Sequence, residues 1–392
     1  MPTDPAREVG HRIAATRRAR RMTQADLAAA AYVSPAMIKA IERGARQPSD
    51  DTLESIAEAL DVDPSRLVTG SNRSDSRVHH AMPAISAAIA AYDLPAGPPA
   101  RPMPQLAADV TALVAWRLGA QYARIAACAP RLLEETLAAL HHASGRERPR
   151  AARLVATTAR AADAVAYKSG HHDLSARLVE LMRWAAVQSE DPVTAATAAY
   201  VRCETFFAAR AHTQGLRALE LAIDAAPSPV GPAAAARGAL HMRAAVIAAR
   251  AEDADAAMVH LAEARRLGDT VPEDAYDGTA FGPDSVRAHE VSVAVSLGRD
   301  HLQRALDVAD EWTPPEHLPA ERQSGFWIEL SRAQLWAGHT DDAFESLKVA
   351  RHIAPQHTRE HPWARDTAGT LRRLKRADAE SLSHFAEWIG AV

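Results

Sequence analysis

Nine arginines and lysines stand in the first 48 residues, at positions 7, 12, 17, 18, 20, 21, 39, 43 and 46, against four acids at 4, 8, 26 and 42. This head carries +5 and the rest of the chain −9, within a total of −4. Guanidinium and ammonium groups gathered in this way neutralise phosphates, and a basic head on an acidic body fits a head that docks on them. The competing reading of the same charges is a solvated helix face. Within the head, Lys39 and Arg43 can reach phosphates or guanine edges, and Arg18, Arg20, Arg21 and Arg46 can add backbone contacts. The residues beside them, Ser34, Pro35, Ala36, Met37 and Ala40, are mostly apolar. Apolar groups touch thymine methyls but give no bidentate base code, so recognition of a duplex here would lean on methyl contacts, shape and spacing.

Those side chains must be held by the stretch Thr23 to Gly44, which reads as two short helices joined by a tight turn, behind an arginine-rich helix over about residues 6–21. Leu27, Ala28 and Ala31 fall on one helical face, and Ile38 and Ile41 on another. Thr23 can cap the first helix. Ser34 followed by Pro35 is a helix start, because the serine oxygen accepts free backbone N–H groups and proline at the first position loses no hydrogen bond. Gly44 closes the second helix as a residue free to take positive φ. A fourth helix over about 50–60 carries Leu53, Ile56, Ala57 and Leu60, and a last turn over 63–67 closes a small core to which Val9, Ile13 and Thr16 also contribute. Two helices and a turn of this size make a helix-turn-helix, whose second helix enters the major groove.

The run Gln24-Ala-Asp-Leu27-Ala28, Val33-Ser34, Ile38-Lys-Ala-Ile41-Glu42-Arg43-Gly44, Pro48-Ser49, Leu53, Ile56-Ala57 and Leu60-Asp-Val62 resembles the Cro/repressor (XRE) family of DNA-binding domains over about residues 7–70. The resemblance implies that Gln24 contacts a backbone phosphate, and that Arg17 and Glu42 form an ion pair that orients the reading helix. With Arg18, Ser34, Pro35, Ala36, Met37, Lys39 and Arg43, Arg17 and Gln24 make up the expected DNA-binding set. One position departs from the family pattern: Tyr32 stands where the turn usually has glycine. A tyrosine there accepts a left-handed backbone at roughly 1–2 kcal/mol, or a shifted turn.

The remainder of the 392 residues, 47% hydrophobic and 24% charged overall, is long enough for further domains. Two cysteines, Cys128 and Cys203, are too few for a disulfide framework or a zinc finger and suit a reducing compartment and core packing. Residues 1–21 have no apolar core of the signal-peptide kind, and no run of 18 apolar residues occurs, so no membrane partner is expected and a cytoplasmic, nucleoid-associated location is.

Residues 69–105 change character, with the polar run TGSNRSDSR, a short helix candidate AMPAISAAIAAYDL and the proline-rich LPAGPPARPMP. They read as a hinge. His79 and His80 in it read as inert rather than metal-binding. From about Pro104 onward the chain reads helix after helix without a convincing strand. Turns recur at 170, 211, 252, 298 and 338, with gaps of 41, 41, 46 and 40. Gly338, Ala343, Leu347, Ala350 and Pro355 resemble the second half of a tetratricopeptide (TPR) repeat, and Glu252, Ala257, Leu261 and Ala264 repeat the spacing. The long period makes these TPR-like units, with HEAT-type repeats as the competing label. The expected fold is therefore all-α: a five-helix helix-turn-helix domain over 1–70, a linker with a short helix over 71–105, and a TPR-like solenoid over 106–392, capped by a last helix bearing Leu382, Phe385, Trp388 and Ile389.

Stacked helix pairs form a superhelix with a concave face lined by the first helix of each pair. Tyr200 and Glu204 share a helix face there. With His241, His289 and Trp327 in like places of later units, they are the candidate ligand set, weighed against plain packing and solvated surface. The loop from Tyr276 to Asp284, YDGTAFGPD, breaks the pattern. Its aromatics either fill a gap between repeats or reach over the groove to a ligand.

No Gly-rich phosphate loop, HExxH or GxSxG occurs, and neither His171-His172-Asp173 nor His141-His142 looks catalytic. No enzyme, metal or cofactor is expected. The layout resembles actinobacterial XRE regulators with TPR-like C-terminal domains, in which FGP before a helix recurs, and more distantly peptide-pheromone receptors of the RRNPP type. That resemblance implies a homodimeric, sequence-specific DNA-binding regulator responding to a peptide or small ligand. The second reading is a DNA-tethered module whose solenoid grips a protein and senses no small molecule. A deep groove with convergent polar groups favours the first, and a shallow apolar stripe the second.

Overall fold

The computed structural model describes residues 5–60, 62, 67, 73–94, 97–374 and 379–391. Among the described residues the chain is all-α apart from one small hairpin. It divides into two compact units, Met1–His80 and Ala81–Val392.

In the first unit, α1 spans Pro5–Ala19, α2 Gln24–Ala30, α3 Pro35–Glu42 and α4 Asp50–Ala59. Their apolar stripes meet in one core of Val9, Ile13, Leu27, Ala28, Ala31, Ile38, Ile41, Leu53, Ile56, Ala57, Leu60 and Leu67. Thr16 is half-buried instead, its hydroxyl donating to the Arg12 carbonyl at 2.8 Å. Thr23 caps α2 in a reciprocal box: its Oγ1 accepts from Asp26 N–H at 3.1 Å, and Asp26 Oδ2 accepts from Thr23 N–H at 2.8 Å. The turn expected over 63–67 lies outside the described residues except Leu67, which is fully buried.

Helix α5, Arg73–Ala90, replaces much of the expected linker and is longer than the short helix predicted there. The rest of the TGSNRSDSR run, residues 69–72, lies outside the described residues, as do residues 95 and 96 of the proline-rich run. Helical propensity in RVHHAMPAISAAIA carries through Pro83, which the helix contains.

The second unit stacks antiparallel helix pairs. After α6 (Met103–Leu118) and α7 (Tyr122–His142) come α8 (Glu147–Lys168) with α9 (His172–Ser189), α10 (Pro192–Ala208) with α11 (His212–Ala225), and α12 (Pro232–Arg250) with α13 (Ala254–Gly268). Next are α14 (Pro283–Leu297) with α15 (Leu302–Glu311), and α16 (Ala320–Ala337) with α17 (Thr340–Ile353). The five recurring turns of the sequence are the five turns inside these pairs. Each contains a residue at positive φ: Gly170, Arg210, Glu252, Gly298 and Gly338, at 81°, 53°, 63°, 97° and 89°. The first helices are buried almost all round, as α8 and α12 illustrate with alanines on every side. Small side chains let neighbouring helices approach on several faces at once, which a helix sandwiched in a stack requires. Helices α18 (Pro355–Glu360), α19 (Pro362–Leu374) and α20 (Ala379–Ile389) close the array, where Leu382, Phe385 and Ile389 pack on Phe344, Leu347 and Leu371.

The expectation of no strand fails at one place. Asp274–Tyr276 (β1) and Thr279–Phe281 (β2) pair antiparallel, Tyr276 facing Thr279 across a two-residue turn. Asp277 and Gly278 in that turn have φ of 47° and 75°, the left-handed pair that a tight hairpin needs and that Asp-Gly supplies. Phe281 is fully buried against Gly238 of α12, where a β-carbon would sit 2.0 Å from its ring. The loop thus does fill a gap between repeats, through Phe281, while its turn serves another purpose.

Candidate functional site

Two regions gather functional side chains, one in each unit. In the first, α3 starts where Ser34 Oγ accepts from Met37 N–H at 3.2 Å, with Pro35 at the first helical position. Gly44, at φ 71°, ends it. Ile38, Ile41 and Glu42 are buried, which turns Ser34, Pro35, Ala36, Lys39 and Arg43 outward to solvent. Met37 and Ala40 are half-buried, Met37 leaning on the core. Arg18 and Arg46 are exposed as well. The outward face is apolar at its start and basic toward its end.

Arg17 sits apart from that face. Its Nε and Nη2 donate to the two oxygens of Glu42 at 2.6 and 2.9 Å, and its Nη1 donates to the Met22 carbonyl at 2.7 Å. All three nitrogens are thus engaged inside the domain, with 11% of the side chain exposed, so Arg17 turns inward rather than toward the solvent face of α3. Burial works against the Glu42 carboxylate, but hydrogen bonds from Arg17 and Gln24 outweigh it and hold its pKa below the usual range. The Gln24 amide donates to Glu42 Oε2 at 2.7 Å, so its nitrogen is spoken for within the domain. Tyr32 keeps the turn by adopting φ 55°, and its ring is 96% exposed.

In the second unit, the first helices of successive pairs surround a cavity of about 240 Å³. Among the described residues it is lined by six basic side chains, Arg117, Arg160, Lys168, Arg243, Arg250 and Arg322, and four acidic ones, Asp163, Glu204, Glu321 and Glu329. The hairpin turn is its wall at one point: Arg117 donates to the Gly278 carbonyl, and Arg160 to the Asp277 carbonyl at 2.9 Å and Thr279 Oγ1 at 2.8 Å. Arg243 lies over the Tyr200 ring at 4.3 Å, and 3.9 Å from Glu204. Arg322 donates to the His289 ring at 3.0 Å. Lys168 pairs with Glu321 at 3.3 Å.

Burial and crowding move these groups in a consistent direction. Burial, with Glu204 nearby, pushes the Asp163 carboxyl well above its ordinary range. Burial likewise lifts Glu329 to about 7. Burial and the Arg117 charge lower Arg160 to about 9. Burial depresses His357 to about 3 and, with Arg322, takes His289 well below 6.5. These shifts favour the neutral forms of the lining histidines and of Asp163, and six basic side chains face four acidic ones in the cavity.

Of the expected ligand set, Tyr200, Glu204 and His289 come together in this cavity. His241 and Trp327 do not. His241 is two residues from Arg243, on the far side of α12, and its Nδ1 meets Nδ1 of His260 at 3.0 Å. Trp327 is two residues from Glu329 and packs edge-on against Phe326 at 5.4 Å. On a helix two residues are about 200° apart, so a neighbour by two cannot share the lining face. The arginines were missed by sequence reasoning, although the signal exists. Arg160, Asp163 and Tyr167, like Tyr200, Glu204 and Phe207, or Arg243, Val246 and Arg250, recur at i, i+3 or i+4, and i+7 on alanine-rich helices. Cys203 is buried, and burial lifts its thiol to about 12, in line with a packing role. His79 and His80 are exposed on α5. Among the described residues no helix is long and apolar enough to cross a membrane.

Residues 13–67 match the helix-turn-helix family model. No curated protein matches the chain. Among solved structures, the chain is similar to PlcR of Bacillus thuringiensis, solved in complex with the peptide PapR7 and DNA, with 14% identity over 67% of this chain and 95% of that one and a TM-score of 0.30. It is also similar to the apo form of the competence regulator ComR from Streptococcus vestibularis, with 11% identity over 96% and 99% of the two chains and a TM-score of 0.30.

Proposed function

We propose that this chain, which carries a helix-turn-helix domain at residues 13–67, is a sequence-specific DNA-binding transcription regulator whose second unit modulates DNA binding through a peptide or small ligand. The observation that carries the reading is α3: capped, fixed from behind by Arg17–Glu42, and open to solvent along Ser34, Pro35, Ala36, Lys39 and Arg43. A helix so presented lies along a major groove, with Ala36 and Met37 on base edges and Arg18, Lys39 and Arg43 on phosphates or guanine. One such domain buries little surface, so it acts as a homodimer on two half-sites about one helical turn apart. It works in the cytoplasm on the nucleoid and catalyses no reaction.

The ligand reading is supported by the cavity in the second unit, where polar groups from five first helices converge. The other reading, a solenoid that grips a protein and senses nothing small, calls for a shallow apolar surface instead. Fluorescence anisotropy of a selected operator duplex with the full chain, with Ala36→Glu and Lys39→Glu beside it, tests the DNA reading. Loss of binding in both variants is expected, and undiminished binding overturns it. Light scattering on and off DNA tests the dimer, and a monomer in both states overturns that.

A further inference from the structure

We propose that the cavity of the second unit is a site for a small anionic ligand, whose carboxylate or phosphate group is gathered between Arg243 and Arg322 beside Tyr200. The proposal rests on the reading of the second unit as a ligand sensor and names the chemistry of its ligand.

The first support is the partners of the basic groups. Arg117 and Arg160 spend their hydrogen bonds on the neutral oxygens of the hairpin turn, and Arg322 on the neutral ring of His289. Arg243 stacks on Tyr200 and forms an ion pair with Glu204 at 3.9 Å, longer than a hydrogen bond. Of the lining carboxyls, Asp163 accepts from Ser175 at 2.6 Å and Glu321 holds Lys168, while Glu204 faces Arg243 and, like Glu329, keeps one buried oxygen without a hydrogen-bond donor. The second support is a set of unused donors: the Nε atoms of Arg243, Arg250 and Arg322 are buried and accepted by nothing. Native interiors rarely leave such donors without an acceptor, and an oxyanion supplies several at once.

Tyr200 reports the same field. Burial should raise its phenol, yet Arg243, Arg322 and Arg160 pull it below its ordinary pKa. Size narrows the class further. At about 240 Å³ the cavity falls under the ~300–1,000 Å³ of drug-sized ligand sites, so it suits a small metabolite rather than an extended peptide.

The experiment follows the thermal midpoint of the full chain by tryptophan fluorescence; all seven tryptophans lie at or beyond residue 116. The probes, at constant ionic strength, are inorganic phosphate, glucose 6-phosphate with glucose, succinate with succinamide, and a capped neutral tetrapeptide. Acidic probes are expected to raise the midpoint by several degrees and their neutral counterparts to leave it unchanged. A response to phosphates alone or to carboxylates alone identifies the source of the anion, and either supports the site. Arg243→Gln and Arg322→Gln, each compared with its own unliganded midpoint, should weaken the response at least ~10-fold, with Arg322→Lys retaining part of it. Circular dichroism of each unliganded variant confirms that it is folded. The proposal is overturned if no acidic probe acts at millimolar concentration, if a neutral counterpart acts equally, or if both glutamine variants respond fully. If the neutral peptide alone binds, the anion proposal falls while ligand sensing stands. If an acid binds but leaves operator affinity unchanged, the site stands and sensing falls.

Discussion

The Arg17 guanidinium closes on the Glu42 carboxylate with two hydrogen bonds of 2.6 and 2.9 Å, tying α1 to the last turn of α3. Glu42 lies on the buried side of the helix whose other side bears Lys39 and Arg43, so the pair sets the angle at which that face is presented.

Glu42→Ala should therefore destabilise the first unit by roughly 3 kcal/mol, because it strands a largely buried guanidinium. Folded Glu42 has a lowered pKa, so its contribution is present above the unfolded carboxylate pKa and is lost as pH falls through the lower, folded value. Hydrogen exchange at the Leu27, Ile38 and Ile41 amides measures this. Faster exchange is expected in the variant at pH 7, with the difference from the parent shrinking in acid below about pH 4.

This pair was legible in the sequence, and the cavity was only partly so. Arg17 and Glu42 match the positions of an ion pair in the family that the head resembles, and the resemblance, not the spacing alone, pointed to their contact. The helix pairs of the second unit were equally legible, since their turns fall where positive φ is needed. What could not be read was the phase of each first helix. Alanine on every side removes the apolar stripe that would show which face is inward, so nothing in the sequence marked Arg243 rather than His241 as facing the cavity. The hairpin was missed because its strands have three residues each, too short for alternation to register, although Asp277-Gly278 was its signal.

Contacts to phosphate and contacts to bases should separate by salt. Arg18→Ala and Lys39→Ala are each expected to weaken binding evenly across duplex sequences and to reduce the slope of log affinity against log salt by about 1. Titrations at three salt concentrations check this. Ala36→Ser, by contrast, should change sequence preference with the slope intact.

Tyr32 holds a left-handed backbone that an L-residue adopts at a cost, with its ring in solvent. Tyr32→Gly should stabilise the first unit by about 1 kcal/mol, seen as roughly fivefold slower exchange at the Leu27 and Ile38 amides. A destabilised variant would mean that the tyrosine ring contributes packing not apparent from its exposure.

Glu329 gives the second unit a pH signature. Burial raises its carboxyl to about 7 against the partial opposition of Arg250, Arg332 and Lys168. A carboxyl raised on folding contributes stability below its unfolded pKa and loses it as pH rises through the folded value. The midpoint of the parent should therefore fall, relative to Glu329→Gln, between about pH 4.5 and 7. Parallel curves for the two proteins across that window would contradict the assignment.

The most direct test is selection of duplexes from a random library by the full chain at moderate salt, followed by sequencing. A single enriched motif is predicted, with two related half-sites about one helical turn apart. The motif should be lost with Lys39→Glu and altered with Ala36→Ser. No enrichment over the unselected library, or the same motif from all three proteins, would contradict the claim that the face from Ser34 to Arg43 reads DNA.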